Sequence, residues 1–301
     1  MKPLLGIDLG GTKIELAVLD PQGQVMYRQR RPTPVGDYRA TVTCVADMVA
    51  QAIQDQQLAH PQAIGMAIPG CLDPVSQTVR GANSVVLNGQ PLQADLQALL
   101  QCTVHMENDA NCLAVSEAVD GAARGLSVVF AVILGTGCGG GWALNGQAWR
   151  GQHGLAGEWG HNPLPWLGAQ DHPLRGCWCG QTACLETWLC GPGFAADHAA
   201  HSGQFSSPPE IVSAMRAGQA QAVASWQRYV DRLARALAQI INTMDPDAVV
   251  LGGGLSQIPE LYTQVAPLLA RHSFTRPIRT PIRAAMHGDA SGVRGAAWLA
   301  R

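Results

Sequence analysis

Long apolar runs, basic blocks and secretory features are all missing from this 301-residue sequence, and each absence removes a class of function. No uninterrupted apolar stretch approaches the ~20 residues of a membrane-spanning helix. The first residues, Met1 to Asp8, are apolar over too few positions for a signal peptide, so a soluble, cytoplasmic protein is expected. Lys and Arg number 20 against 22 Asp and Glu, which leaves no electrostatic footprint for a phosphate backbone. Neither nucleic acid nor a membrane is therefore expected as a partner. Cys44, Cys71, Cys102, Cys112, Cys138 and Cys190 sit among apolar or small residues and read as reduced core thiols. Glycine is plentiful at 34 residues but dispersed, which suits close backbone approaches in a folded enzyme. The length suits about two domains or lobes.

The other cysteines cluster. Cys177, Cys179 and Cys184 follow a C-x-C-x4-C spacing, and His161 precedes them. One imidazole and three thiolates make up the ligand set of a closed, tetrahedral structural zinc site. Without secretory features such a cluster signals a metal more than a disulfide; the alternative is that the thiols are buried as small hydrophobes. Glu158 stands just before His161 and Glu186 just after Cys184. A metal closing this loop would bring both carboxylates toward one place and make a polar pocket rigid.

Two glycine loops share one plan. Leu4–Leu9 is strand-like and runs into Gly10-Gly11-Thr12-Lys13; Ile14–Leu19 is strand-like again, followed by the turn Pro21-Gln22-Gly23 and a third strand at Gln24–Tyr27. The Walker pattern is missing and the loop joins two strands, which excludes a P-loop. What remains is a hairpin tip whose backbone N–H groups, Thr12 and Lys13 can hold phosphate oxygens, with Asp8 placed to organise Mg2+ through water. An ordinary glycine hairpin is the competing reading. Val128–Leu134, the loop Gly135-Thr136-Gly137-Cys138-Gly139-Gly140-Gly141, extended Trp142–Leu144 and the turn Asn145-Gly146 repeat the arrangement, as a duplicated lobe would. Gly135, Gly137 and Gly140 match G-x-G-x-x-G, but a hairpin follows where a dinucleotide fingerprint needs a helix.

Between and beyond these units the periodicity predicts a helix over Tyr38–Gln57, strands at Ala63–Ile68 and Val104–Met106, and a helix over Cys112–Ala123. Asn108 and Asp109 stand where the strand meets that helix. Asp109 there is either a helix cap or a polar group at a strand end, where ligands bind in open α/β sheets. Helices are predicted over Pro209–Ala217 and Ala222–Met244, then a buried strand Ala248–Leu251 ending at Gly252-Gly253-Gly254. Those glycines either let a flat group such as adenine lie against backbone or simply form a tight turn. Ile282–Met286 is the last predicted strand. A small-residue helix from Asp289 to Trp298 is expected to cross back to the N-terminal lobe.

Asp8-Leu9-Gly10-Gly11-Thr12-Lys13, Asn108-Asp109-Ala110-Asn111, Gly135-Thr136-Gly137, Gly157-Glu158-Trp159-Gly160-His161, the cysteine cluster with Glu186, and Gly252-Gly253-Gly254 together resemble the successive signatures of the ROK family (repressors, uncharacterised frames and sugar kinases). The DNA-binding members carry an extra N-terminal helix-turn-helix, whereas this chain starts on the phosphate-loop strand, so the kinase branch is expected. Asn83 to Gly89, Asn108 to Ala122 and Gly157 to Trp166 are similar to its bacterial fructokinases, the manno(fructo)kinases. The chain departs from that pattern at Val86, where an aromatic is expected, at Ala183, where glycine is usual, and over residues 167–176; sugar preference and loop geometry are what these positions touch.

The resemblance implies an α/β, actin-like ATPase (ribonuclease H-like) duplicated two-lobe fold with a structural zinc loop. Residues 1–118 with 288–301 would form the small N-terminal lobe and 119–287 the large lobe. It implies ATP-dependent phosphorylation of the 6-hydroxyl of fructose, and of mannose too, with Asp109 as general base. Asn83, Asn108, Asp109, Glu158, His161 and Glu186 would bind the sugar. Gly10, Gly11, Thr12, Lys13, Gly135, Thr136 and Gly137 would grip phosphates, Asp8 the Mg2+, and Gly252, Gly253 and Gly254 the nucleoside. His161 would serve zinc with one ring nitrogen and the sugar with the other. A homodimer is expected on the same grounds. Two further readings stand beside this one: a kinase of glucose or an N-acetylhexosamine, and a sugar-sensing regulator without turnover.

Overall fold

The computed structural model describes residues 2–301. Its chain forms two compact units, Met1–Ser127 with Gly141–Gly157 and Met286–Arg301, and Val128–Gly140 with Glu158–Ala285.

In the first unit, β1 (Leu4–Leu9), β2 (Lys13–Leu19) and β3 (Val25–Pro32) form an antiparallel meander, with Asp8 opposite Glu15. After α1 (Tyr38–Asp55), β4 (Ala63–Ile68) pairs parallel with β1. A short hairpin, β5 (Cys71–Leu72) with β6 (Val79–Arg80), and α2 (Leu92–Leu100) lead to β7 (Thr103–Asn108), which extends the sheet to the order β3-β2-β1-β4-β7. The central strands are largely apolar because both faces are covered, with Asp8 and buried Glu15 as the charged exceptions. Edge strand β3 alternates instead, and its Arg30 reaches the buried carboxylate of Glu15 at 2.6 Å. Helix α1 is capped by Asp37, which accepts from the Ala40 N–H at 2.9 Å, and turns Val45, Met48, Val49 and Ala52 inward. α3 (Asp109–Val119) follows β7 without a break.

The second sheet repeats the order: β8 (Val128–Leu134), β9 (Cys138–Leu144) and β10 (Gln147–Ala148) are followed by helices α4 (Glu186–Leu189), α5 (Gly191–Ser202), α6 (Pro208–Arg216) and α7 (Ala220–Met244), then β11 (Ala248–Gly252), α8 (Glu260–His272) and β12 (Ile282–Ala284), giving β10-β9-β8-β11-β12. β11 runs parallel to both β8 and β12. The duplicated sheet plan is thus present, with the chain ending in α9 (Ser291–Leu299). No helix among the described residues is long and apolar enough to cross a membrane.

As expected, α9 packs on the first sheet, and glycine makes that possible. A Cβ on Gly65 would stand 1.6 Å from the Ala296 carbonyl oxygen, and one on Gly6 would stand 2.2 Å from that of Val293. Only hydrogen fits between helix and strand backbones this close.

The unit boundaries differ from the sequence-based ones. Segments 119–127, 141–157 and 286–287, expected in the large lobe, belong to the first unit. The cause is polar bonding that sequence patterns do not display. Asn111 on α3 accepts the Trp142 N–H at 3.0 Å, Arg150 pairs with buried Glu107, and Glu117 accepts from Ala122 N–H and Met286 N–H. The second glycine loop is also shorter than expected: residues 138–141 are strand, leaving Gly135–Gly137 as the loop.

Inside the second unit, α7 carries Arg232 and Arg235 into a buried ion cluster. Arg232 contacts Asp171 at 2.9 Å and Asp197 at 2.6 Å, and Arg235 contacts Asp171 at 3.0 Å. Burial pushes both carboxyls up, but the arginine hydrogen bonds outweigh it and hold them below their usual range. Arg235 also donates to the carbonyls of Pro165 and Trp166. The atypical stretch before the first zinc cysteine is thereby tied to α7.

Candidate active site

Asp109 begins α3, and the capping question has a definite answer. Asn108 is the cap: its Oδ1 accepts the Ala110 N–H at 2.9 Å while its Nδ2 donates to the Gly70 carbonyl at 3.0 Å. Asp109 Oδ1 accepts the same Ala110 N–H at 2.8 Å, which sets a carboxylate on the positive end of a helix. Beneath them Glu107, 5% exposed, accepts from the Asn111 side chain at 2.9 Å and pairs with Arg150. Neither Glu107 nor Arg150 was singled out from sequence; a carboxylate pointing inward from a core strand was the available signal.

Asp8 lies one residue before the end of β1, beside the first glycine turn, where the Gly10 N–H donates to the Lys13 carbonyl at 2.9 Å. Burial, then the charges of Asp109 and Glu15, push Asp8 up to about 7, against the pull of Lys13. The two aspartates therefore feel each other. Asn83 is exposed on a loop pinned by Asn88, whose side chain donates to the Ala82 carbonyl and accepts the Ala82 N–H, both at 2.9 Å. Ser84 of that loop would lie 3.3 Å from a Cβ on Gly11.

In the second unit the four candidate metal ligands lie together. The ligand atoms of His161, Cys177, Cys179 and Cys184 all lie within 4.8 Å of one another. A tetrahedral ion with zinc–sulfur bonds of about 2.3 Å places two sulfurs about 3.8 Å apart, and sulfur and imidazole nitrogen about 3.6 Å apart. Cys179 and Cys184 Sγ are 3.7 Å apart, and Cys177 Sγ lies 3.6 Å from His161 Nδ1. The donor set and its spacing fit zinc, with Nδ1 facing the ion position and Nε2 directed elsewhere. A turn closed by the Gly180 N–H on the Cys177 carbonyl presents the first two thiols. Ala183, where glycine is usual, has φ +60°, the left-handed region that explains the usual glycine.

His161 and exposed Glu158 sit on a turn fixed to β9. The Trp159 indole donates to the Gly139 carbonyl at 3.0 Å, and a Cβ on Gly160 would stand 1.9 Å from the Cys138 carbonyl oxygen. Glu186 lies against the second glycine loop: its Oε2 accepts the Cys138 N–H at 2.9 Å, and its Oε1 accepts the Trp178 indole N–H at 2.7 Å.

A cavity of about 1050 Å³ in this unit is lined by Gly135, Thr136, Gly254, and residues of α5 and α6 including Ala195, Ala199 and Val212. Of the glycine triplet only Gly254 lines it. Gly252 is buried in β11, and Gly253 (φ +82°) lies so close to the Leu134 backbone that a Cβ would stand 2.6 Å from its oxygen. The α5 wall was missed from sequence because Gly191-Pro192-Gly193 reads as a loop; in place, Cys190 Sγ accepts the Gly193 N–H and Pro192 occupies the first turn.

Residues 4–301 match the ROK family. The N-acetyl-D-glucosamine kinase of Salmonella gallinarum is 43% identical over 298 residues, covering 98% of each chain. Among solved structures, the ROK hexokinase of Thermus thermophilus is 29% identical with a TM-score of 0.87, covering 99% of this chain and 97% of that one. A ROK family glucokinase from Streptomyces griseus, solved with glucose and AMPPNP, is 28% identical with a TM-score of 0.77 over 99% and 98% of the two chains. The fold is accordingly the actin-like, duplicated α/β one, and the chain belongs to the ROK family.

Proposed function

We propose that this protein is an ATP-dependent hexose kinase whose preferred acceptor is N-acetyl-D-glucosamine. The observation that carries the reading is the 43% identity to an N-acetyl-D-glucosamine kinase over 98% of both chains. The fructose specificity expected from residues 83–89, 108–122 and 157–166 is the second reading, and the relatives favour the N-acetylhexosamine alternative over it.

Asp109 is the general base, taking the proton of the attacking sugar hydroxyl as its oxygen bonds to the γ-phosphorus of ATP and the bond from that phosphorus to the departing ADP oxygen breaks. Asn83, Asn108, Asp109, Glu158, His161 and Glu186 are the residues assigned to the sugar. Asn108, already spent on Ala110 and Gly70, acts chiefly by fixing Asp109. Gly10, Gly11, Thr12, Lys13 and Gly135–Gly137 offer backbone and side-chain donors to phosphates, and the cavity beside Gly254 takes the nucleoside. Asp8 would hold Mg2+ through water, a charge that offsets the negative phosphates. Zinc in the cysteine–histidine cluster would fix His161 Nδ1 and leave Nε2 for a sugar hydroxyl.

The test is ADP release by zinc-replete protein with Mg-ATP and N-acetylglucosamine, N-acetylmannosamine, glucose, mannose and fructose. N-acetylglucosamine should give the highest kcat/KM; fructose in first place would restore the second reading, and no release with any sugar would favour a non-catalytic sensor. Asp109→Asn should lower kcat by roughly 10²–10⁴-fold while sugar binding persists. Undiminished turnover would remove Asp109 from the role.

A further inference from the structure

Trp178 has an unusual position for a large apolar side chain. It lies between two metal-cluster cysteines and is 75% exposed, so core packing does not account for it. Its contacts are nonetheless directional. The indole N–H donates to Glu186 Oε1 at 2.7 Å, and the ring stands edge-on to His161 with centroids 4.9 Å apart and planes at 90°. Both partners are residues to which the proposed function gives sugar hydroxyls. A cavity of about 350 Å³ opens beside the indole and is lined by Thr136, Cys177, Trp178 and Glu186 among others.

We propose that Trp178 is a positioning residue for the sugar: its indole N–H locks the Glu186 carboxylate in the orientation that accepts sugar hydroxyls. The inference rests on Glu186 being a sugar ligand. A carboxylate oxygen offers about two lone-pair directions. With the Cys138 N–H on Oε2 and the Trp178 N–H on Oε1, the group is held at both oxygens and keeps acceptor capacity on each. Rotating it would break a bond at each end. The turn that carries the indole is itself held: Cys177 and Cys179 flank Trp178, and the Cys177 N–H on the Gln181 carbonyl and the Gly180 N–H on the Cys177 carbonyl close it. A metal in the cluster thus acts on Glu186 through Trp178, as well as on His161 directly.

The alternative geometry, an indole that blocks Glu186 and must leave before sugar enters, makes the opposite prediction. Sugar binding is measured by calorimetry without ATP, so that it reports on Trp178 independently of turnover; kcat, KM and zinc content are measured alongside. Trp178→Phe keeps an aromatic ring and loses the donor. N-acetylglucosamine affinity should fall roughly three- to tenfold, KM should rise in step, and kcat should stay within about twofold. On a Glu186→Ala background, which removes the indole's acceptor, the same substitution should have a much smaller effect, since its route to the sugar is gone. Unchanged or tighter binding in Trp178→Phe overturns the proposal, as do additive effects of the two substitutions. Trp178→Tyr is the second variant: zinc loss with lost binding in both variants would make Trp178 a metal-loop residue only, also overturning it. Absence of ADP release from a wild type that binds sugar would refute the kinase reading and leave the Trp178 result standing; absence of binding to every sugar would sink both.

Discussion

Replacing Gly141 with alanine should cost turnover without touching any group proposed to contact substrate. Gly141 lies on β9 within the first unit, and a Cβ there would stand 2.3 Å from the carbonyl carbon and oxygen of Ala110 and 2.4 Å from the Asn111 nitrogen. Ordinary contact begins near 3.4 Å, so the first turn of α3 must yield by about 1 Å. Those atoms are backbone, and no rotamer change relieves the clash. Ala110 follows Asp109 directly and donates to it, so the proposed base moves with the turn. A displacement of about 1 Å costs on the order of 10²-fold in rate, or about 2.7 kcal/mol of barrier. Overpacking should also lower stability by about 1–3 kcal/mol. The assay is kcat for Gly141→Ala with saturating sugar and ATP, beside urea denaturation to show a folded protein. A folded variant with kcat within twofold of wild type would refute the claim that this contact sets Asp109 where catalysis needs it.

Asp8 gives a pH prediction. Its carboxyl is raised from 3.8 to about 7 in the folded protein, so the folded state holds a proton that the unfolded state has released over that interval. Stability from this group is fully present below about pH 4 and is lost as pH rises through about 7, by about 4 kcal/mol in all. Denaturation midpoints measured without magnesium should fall across that window, and Asp8→Asn should flatten the fall; an identical slope in the variant would contradict the assignment. Chelating the metal from the cysteine–histidine cluster should weaken sugar affinity by roughly tenfold or more, because several hydrogen bonds of about 0.5–1.5 kcal/mol lose their fixed partners. Nucleotide affinity should fall less, and calorimetry on chelated and zinc-restored protein separates the two; unaltered sugar affinity after chelation would detach the metal loop from the sugar.

The strands, both glycine loops and the metal cluster were legible because their signals are local: alternation and apolar runs, Gly-Thr turns, and a C-x-C-x4-C spacing whose sulfurs need little chain to meet. The departure noticed at Ala183 proved to be a backbone matter, since its positive φ is the reason glycine is usual there. What stayed hidden depends on distant partners. Helix α5 opens with Gly-Pro-Gly, and α8 contains Pro267, so propensity spoke against both until packing in the second unit overrode it. Glu107 and Glu117 bind groups far along the chain, and unit boundaries follow such bonds and not composition. The Asn108–Asp109 pair shows the same limit: two adjacent polar residues suit a cap equally well on paper, and the Gly70 carbonyl, 38 positions away, selects Asn108.

The seating of α9 sets an order of assembly. Gly6 and Gly65, early in the chain, are spaced for a helix made of Ser291–Leu299, and without it the sheet face between them lies open to water. During synthesis that face must wait while the whole second unit emerges from the ribosome. The middle of the polypeptide can therefore reach its final state before the beginning does, and the first strands wait for the helix that covers them. A protein shortened by its last ten or so residues would keep every group proposed for chemistry and still lack the helix that closes the first unit.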